Sequence, residues 1–269
     1  MKRRARFPWP CLRRLRISPA ALFPAGLLPM LLLGAGCTAA QVPPAESGPA
    51  GKKPAPAAQA PSAETPEDLK TRLESAMDEP DPAKRAAALE SILEALPPGS
   101  PPHEFLSAMV VQAWAAAGDL ERMEKASKAI TIRDTPMHAD VLNAMAYALA
   151  EAGVRLTEAE FRVQQALDIL DRLEKESGDP RAGAALRSRR GAYLDTLGWI
   201  HFKNGKLDEA ERRVRESLEY VEDPEVLYHL AVILEKKGDI AGAKNAYAAV
   251  AALDGPYAEE ARKALKRLQ

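Results

Sequence analysis

Residues 194–222 read LDTLGWIHFKNGKLDEAERRVRESLEYVE, and residues 227–255 read LYHLAVILEKKGDIAGAKNAYAAVAALDG. Laid over one another at an offset of 33, Leu194, Leu197, Gly198 and His201 fall on Leu227, Leu230, Ala231 and Leu234. Gly205 falls on Gly238, Ala210 on Ala243, Val214 on Tyr247 and Ser217 on Val250. Spacings of 3, 4 and 7 put the apolar residues on one face of a helix. Small residues at Gly198 and Ala231, and at Ala210 and Ala243, let two helices approach closely. Gly205 and Gly238 supply the left-handed turn that ends the first helix. Asp208 and Asp239 stand near the start of the second. A lone helix pair cannot bury its apolar face, so such units must stack.

This pattern resembles the tetratricopeptide repeat, a unit of about 34 residues with the form W-x2-L-G-x2-Y, then A-x3-F, then P. Two earlier units resemble it less closely. In 139–177 the matching positions are Leu142, Met145, Ala146, Leu149, Gly153, Ala159, Val163 and Ala166, with one extra residue between Gly153 and Ala159. In 104–135 they are Ser107, Val110, Val111, Trp114, Gly118, Met123 and Ser127. Residues 66–95 keep the helical period and a small residue at Ala86 or Ala87. Periodicity and breaks predict helices at 66–78 and 82–95, 103–117 and 119–132, 138–152 and 157–177, 182–204 and 207–220, 224–237 and 240–252. A last helix, with Pro256 in its first turn, is predicted from about 256 to 268. The resemblance implies an all-α, right-handed α-solenoid of four to five helix pairs with a C-terminal capping helix. It is clearest at 191–256 and degenerate at 65–135.

The same resemblance implies a partner-binding concave face lined by the first helix of each pair. Carried onto this chain, its inward positions include Phe105 and Gln112, then Asn143 and Tyr147, then Asp195, Trp199, Phe202 and Lys203, then Tyr228, Val232 and Glu235. Aromatic rings with Asn and Asp nearby suit an extended peptide or a helix. The basic-plus-Asn clamp of chaperone-binding members is not reproduced; only Asn143 and Lys203 echo it. The competing reading is that Trp199 and Phe202 pack against 157–177 or against the first helix of the next unit. His201 occupies a packing position, as a satisfied interior histidine would. Arg187, Arg189, Arg190, Arg212, Arg213 and Arg215 form a basic cluster, read as a solvated face with pairs such as Glu209–Arg213 and Glu211–Arg215 rather than as an anion site.

The N-terminal quarter reads differently. Residues 1–36 carry seven cationic side chains, all at or before Arg16, and no acid; an apolar run from Ile17 to Gly36 follows those cations, interrupted by Pro19, Pro24 and Pro29. That form suits a removable export signal better than a membrane-spanning helix. Leu33-Gly34-Ala35-Gly36-Cys37 resembles the lipobox of bacterial lipoproteins, although Gly34 stands where an aliphatic residue is usual. The resemblance implies lipidation of Cys37; the alternative is ordinary cleavage with Cys37 as a free thiol. Thr38, where an Asp would retain such a protein at the inner membrane, implies the outer membrane facing the periplasm. Residues 38–64 are dominated by Pro, Ala, Gly and Ser, too poor in apolar residues to offset ordering entropy. They read as a disordered stalk. The expected organisation is therefore a signal at 1–36, a lipidated linker at 37–64 and the repeat domain at 65–269.

Charge and chemistry narrow the function. The full chain has 37 Lys+Arg against 38 Asp+Glu; without 1–36 the balance is 30 against 38, a net of −8. An acidic body argues against nucleic acid and against purely electrostatic attachment to anionic lipid. Two Cys rule out a disulfide framework and any zinc site built on three or four cysteines. His103, His138, His201 and His229 form no H-E-x-x-H or Cys/His cluster. No phosphate loop, nucleophile elbow or dinucleotide fingerprint is present. No metal, no cofactor and no enzymatic activity are expected. The expected role is a lipid-anchored scaffold that binds protein partners of an envelope complex. The alternatives are a glycan-binding or polysaccharide-export accessory lipoprotein, and a subunit of a cell-wall enzyme.

Overall fold

A computed structural model describes residues 66–177, 179–253 and 255–269. The export signal, Cys37 and the stalk lie outside them. Among the described residues there are eleven helices and no strand. They are α1 (Pro66–Asp78), α2 (Pro82–Leu93), α3 (Pro101–Ala117), α4 (Leu120–Ser127), α5 (Pro136–Ala152), α6 (Leu156–Glu176), α7 (Pro180–Lys203), α8 (Leu207–Leu218), α9 (Pro224–Lys237), α10 (Ile240–Ala251) and α11 (Ala258–Arg267).

Local chemistry repeats with the fold. Five helices, α2, α3, α5, α7 and α9, begin with a capping side chain followed by proline: Asp81-Pro82, Ser100-Pro101, Thr135-Pro136, Asp179-Pro180 and Asp223-Pro224. Each capping oxygen accepts a backbone N–H of the first turn, and proline has no N–H to leave unsatisfied there. The first helices of four pairs end at Gly118, Gly153, Gly205 and Gly238, all with positive φ. At each, the glycine N–H and the next N–H bond back across the last turn, as from Gly118 to Ala115 and from Asp119 to Trp114.

The extra residue after Gly153 is absorbed by Arg155. It caps α6 with φ 52°, the one non-glycine at positive φ among the described residues. Its guanidinium pairs with Glu158 at 2.6 Å and with Glu124.

Consecutive helices pack as antiparallel-style pairs, and the first helices α3, α5, α7 and α9 also pack in succession. The result is the tetratricopeptide-type α-solenoid: five pairs and a last helix against α10. The apolar core passes along the stack. α5 gives Val141, Met145 and Ala148 to the core beneath α1–α4, and Leu142, Ala146 and Leu149 to the core with α6 and α7. Val214, Leu230, Ile233 and Tyr247 centre the third core, closed by Ala261 and Ala264 of α11. Between two helices, close approach is strictest at Gly198. A Cβ there would lie 2.6 Å from Val214 Cγ2 and 3.1 Å from the Ala210 carbonyl oxygen.

Several boundaries differ from expectation by one or two residues, and one by five. The helix expected to reach 132 ends at Ser127. The β-branched run Ile130-Thr131-Ile132 and the extended Thr135 before Pro136 oppose continuing it. The second helix stops at Leu93 rather than 95. The last begins at Ala258, with Pro256 two residues ahead of it instead of inside its first turn.

Candidate functional site

Asn143, Tyr147 and Glu151 are one turn apart on α5 and share a face. The corresponding face of α7 carries Asp195, Trp199, Phe202 and Lys203, and that of α9 carries Glu225, Tyr228 and His229. Packing of the first helices brings these faces together, and Tyr257 joins them from the start of α11.

The centre is an ion pair. His229 Nδ1 lies 2.9 and 3.0 Å from the two Asp195 carboxylate oxygens, and both residues are buried. Burial opposes a charged imidazolium. The Asp195 carboxylate, with Glu225 and Glu151 beyond it, outweighs that and raises the His229 pKa above its ordinary value. The His229 ring stacks on Trp199 at 4.1 Å between centroids, and Trp199 also stacks with Phe202 at 4.7 Å. Trp199 Nε1 donates to Glu151 Oε1 at 2.6 Å. Lys203 Nζ sits 3.8 Å from the same carboxylate and 5.1 Å from the Trp199 ring centroid.

A second knot forms at Glu225, which is 3% exposed. The Tyr147 hydroxyl donates to its Oε1 at 3.0 Å, and the Tyr257 hydroxyl donates to the same oxygen at 2.8 Å. Oε2 is buried and finds no hydrogen-bond partner among the described residues. Burial, then the Glu225 charge, raises the Tyr147 pKa well above the ordinary phenol value, so this hydroxyl is a neutral donor. Tyr257 stacks on Tyr228 at 4.9 Å, and Tyr228 meets Tyr247 edge-on at 5.8 Å.

Of the residues expected on an open face, Asp195 and Trp199 are instead interior, at 5% and 8% exposure. Trp199 packs against the first helix of the next pair because His229 offers it a ring to stack on. Phe202, Tyr147 and Tyr228 are half-buried in the same network. Asn143 is half-buried, with its Oδ1 enclosed and unpartnered among the described residues. Phe105 is half-buried on α3, apart from this cluster. His201 is buried as expected, but its Nδ1 finds no partner among the described residues.

Glu225, His229, Glu151 and Tyr257 were not singled out by the sequence. Glu225 holds the same place in its repeat as Phe105 does, so the register itself could have pointed to it. Tyr257 lies beyond the repeat pattern and carries no such signal.

The arginine cluster is engaged internally. Arg189 pairs with Asp140, Arg190 with Asp171 and Glu174, and Arg215 with Glu211, while Arg187 lies over the Tyr220 ring. Arg213 pairs with Glu216, one turn ahead, instead of with Glu209. Arg212 is exposed. Among the described residues no group of three or more His, Cys, Asp or Glu is placed to hold a metal, and no helix is long and apolar enough to cross a membrane.

No family model matches the chain. A TPR repeat-containing protein of Pseudomonas aeruginosa is 35% identical to it over 112 residues. The match covers 42% of this chain and 16% of that protein, so the chain corresponds to less than a fifth of its relative's length. The likeness and the stacked helix pairs agree on tetratricopeptide-type repeats.

Proposed function

We propose that this chain is a protein-interaction scaffold. It is held at the outer membrane by lipid on Cys37 and uses the α5–α7–α9 face to seat a segment of a partner from an envelope complex. The observation that supports this reading is the convergence of Asn143, Tyr147, Tyr228 and Glu225 from separate repeats onto one face. Fold alone does not choose a partner, but that face combines aromatic area with acceptors able to fix a peptide. The anionic-glycan reading has less support, because four of the six arginines in the cluster are paired within the protein. The anchor rests on the sequence around Cys37.

The test is capture from detergent-solubilised envelope with the full chain as bait. A defined envelope protein is expected with the wild type. With Asn143→Ala plus Tyr228→Ala, whose helical circular dichroism should be unchanged, about tenfold less is expected. Equal capture by both baits overturns the face assignment. Cys37→Ser is expected to move the protein to the soluble fraction; if it stays with membranes, the lipid anchor is wrong.

A further inference from the structure

We infer that Glu225 is the receptor for a basic side chain of the partner, a lysine or arginine that enters the face between α5 and α9. The inference rests on the peptide-seating reading above and names the chemistry of what is seated.

Two acids at equivalent places in their repeats make the contrast. Asp140 of α5 accepts the Tyr193 hydroxyl at 2.6 Å and is neutralised by its own cation, Arg189, at 3.1 Å. Glu225 of α9 accepts two phenols on one oxygen, and no described Lys or Arg pairs with it. Phenols orient a carboxylate without cancelling its charge. Its second oxygen is buried and unused, an arrangement that is costly to retain unless something completes it. Asn143, one turn before Tyr147 on the same face of α5, leaves a second enclosed acceptor unused. The neighbouring charges are already matched: Asp195 by His229, and Glu151 by Lys203. The unmatched group on this face is thus an anion, with a neutral acceptor at Asn143 on the same face, which suits an ammonium or guanidinium. A cation reaching the oxygen shared by the two phenols would take the place of Tyr257, which donates from the connection between Gly255 and α11.

The test uses the full chain in detergent and pools of acetylated, amidated decapeptides, each with one fixed central residue: Lys, Arg, norleucine, Gln or Glu. Fluorescence anisotropy is expected to show the Lys and Arg pools binding about tenfold tighter than the norleucine and Gln pools. Glu225→Gln should erase that advantage and leave the Gln pool unchanged. Carbodiimide coupling, which joins an amine to a carboxylate it touches, should link the Lys pool to Glu225 in the wild-type protein, a readout independent of how the variant folds. Equal binding of all pools, a preference that survives Glu225→Gln, or links found only at other carboxylates overturns the inference and leaves the seating face intact. If no pool binds, the seating face itself falls.

Discussion

His229 is the residue on which most of the network turns. It is buried, paired with Asp195 and stacked on Trp199. Because its pKa is raised in the folded state, the stability it contributes is complete below its unfolded value, about pH 6.5. That contribution is lost as pH rises through the higher folded value. His138 and His201 behave oppositely. Burial first, with Arg133 for His138 and Lys206 and Arg213 for His201, lowers their pKa values. Their contribution is complete above about pH 6.5 and is lost as pH falls through the lower folded values. Thermal unfolding from pH 5 to 9 should therefore show a decline on each side. His229→Gln should remove the alkaline decline and leave the acid one. Asp195→Asn should cost about 3 kcal/mol near neutrality, because it strips a buried imidazole of its charge partner. An alkaline decline that persists in His229→Gln would assign it to another group.

At the scale of the helix, the two glycines of one repeat do different work. Gly205 turns the chain with φ 77°, and open space surrounds the position a Cβ would take. Gly198 has ordinary helical φ, but a Cβ there meets Val214 and the Ala210 backbone. Gly205→Ala should cost about 1 kcal/mol of backbone strain. Gly198→Ala should cost more, roughly 2–3 kcal/mol, because α7 and α8 must separate. Urea denaturation would rank them; equal losses would mean that α8 shifts freely. Both glycines were legible from the 33-residue offset, and all eleven helix starts were legible from periodicity and breaks to within two residues. The early end of α4 was not, because Ile130 and Ile132 continue an apolar rhythm that the extended Thr135-Pro136 approach cancels. The choice between the two readings of Trp199, open face or packing on the next unit, and the role of Glu225 were not legible either. Register tells which face a residue takes but not which neighbour fills that face, and the Tyr147–Glu225 bond spans 78 positions of chain.

At the scale of the molecule, stability should run along the stack, each pair resting on the next. α11 closes the third core with Ala261 and Ala264, and Arg267 pairs with Glu235 at 2.6 Å. Ending the chain at 253 should destabilise the α9–α10 pair by about 2–4 kcal/mol, comparable to baring two apolar side chains. Hydrogen exchange should quicken in 224–253 before it does in 136–203. Uniform quickening along the whole chain would show that the stack melts as a single unit.

The bond from Tyr147 to Glu225 reaches past the intervening pair α7–α8 to join the third pair to the fifth. A ladder of nearest-neighbour contacts flexes like a spring, each junction giving a little. A strut across two junctions removes that compliance, so the C-terminal three pairs should bend as a stiff rod while α1–α4 retain the give. A partner that loosens Glu225 would then do more than dock: it would change the mechanical stiffness of the whole coil.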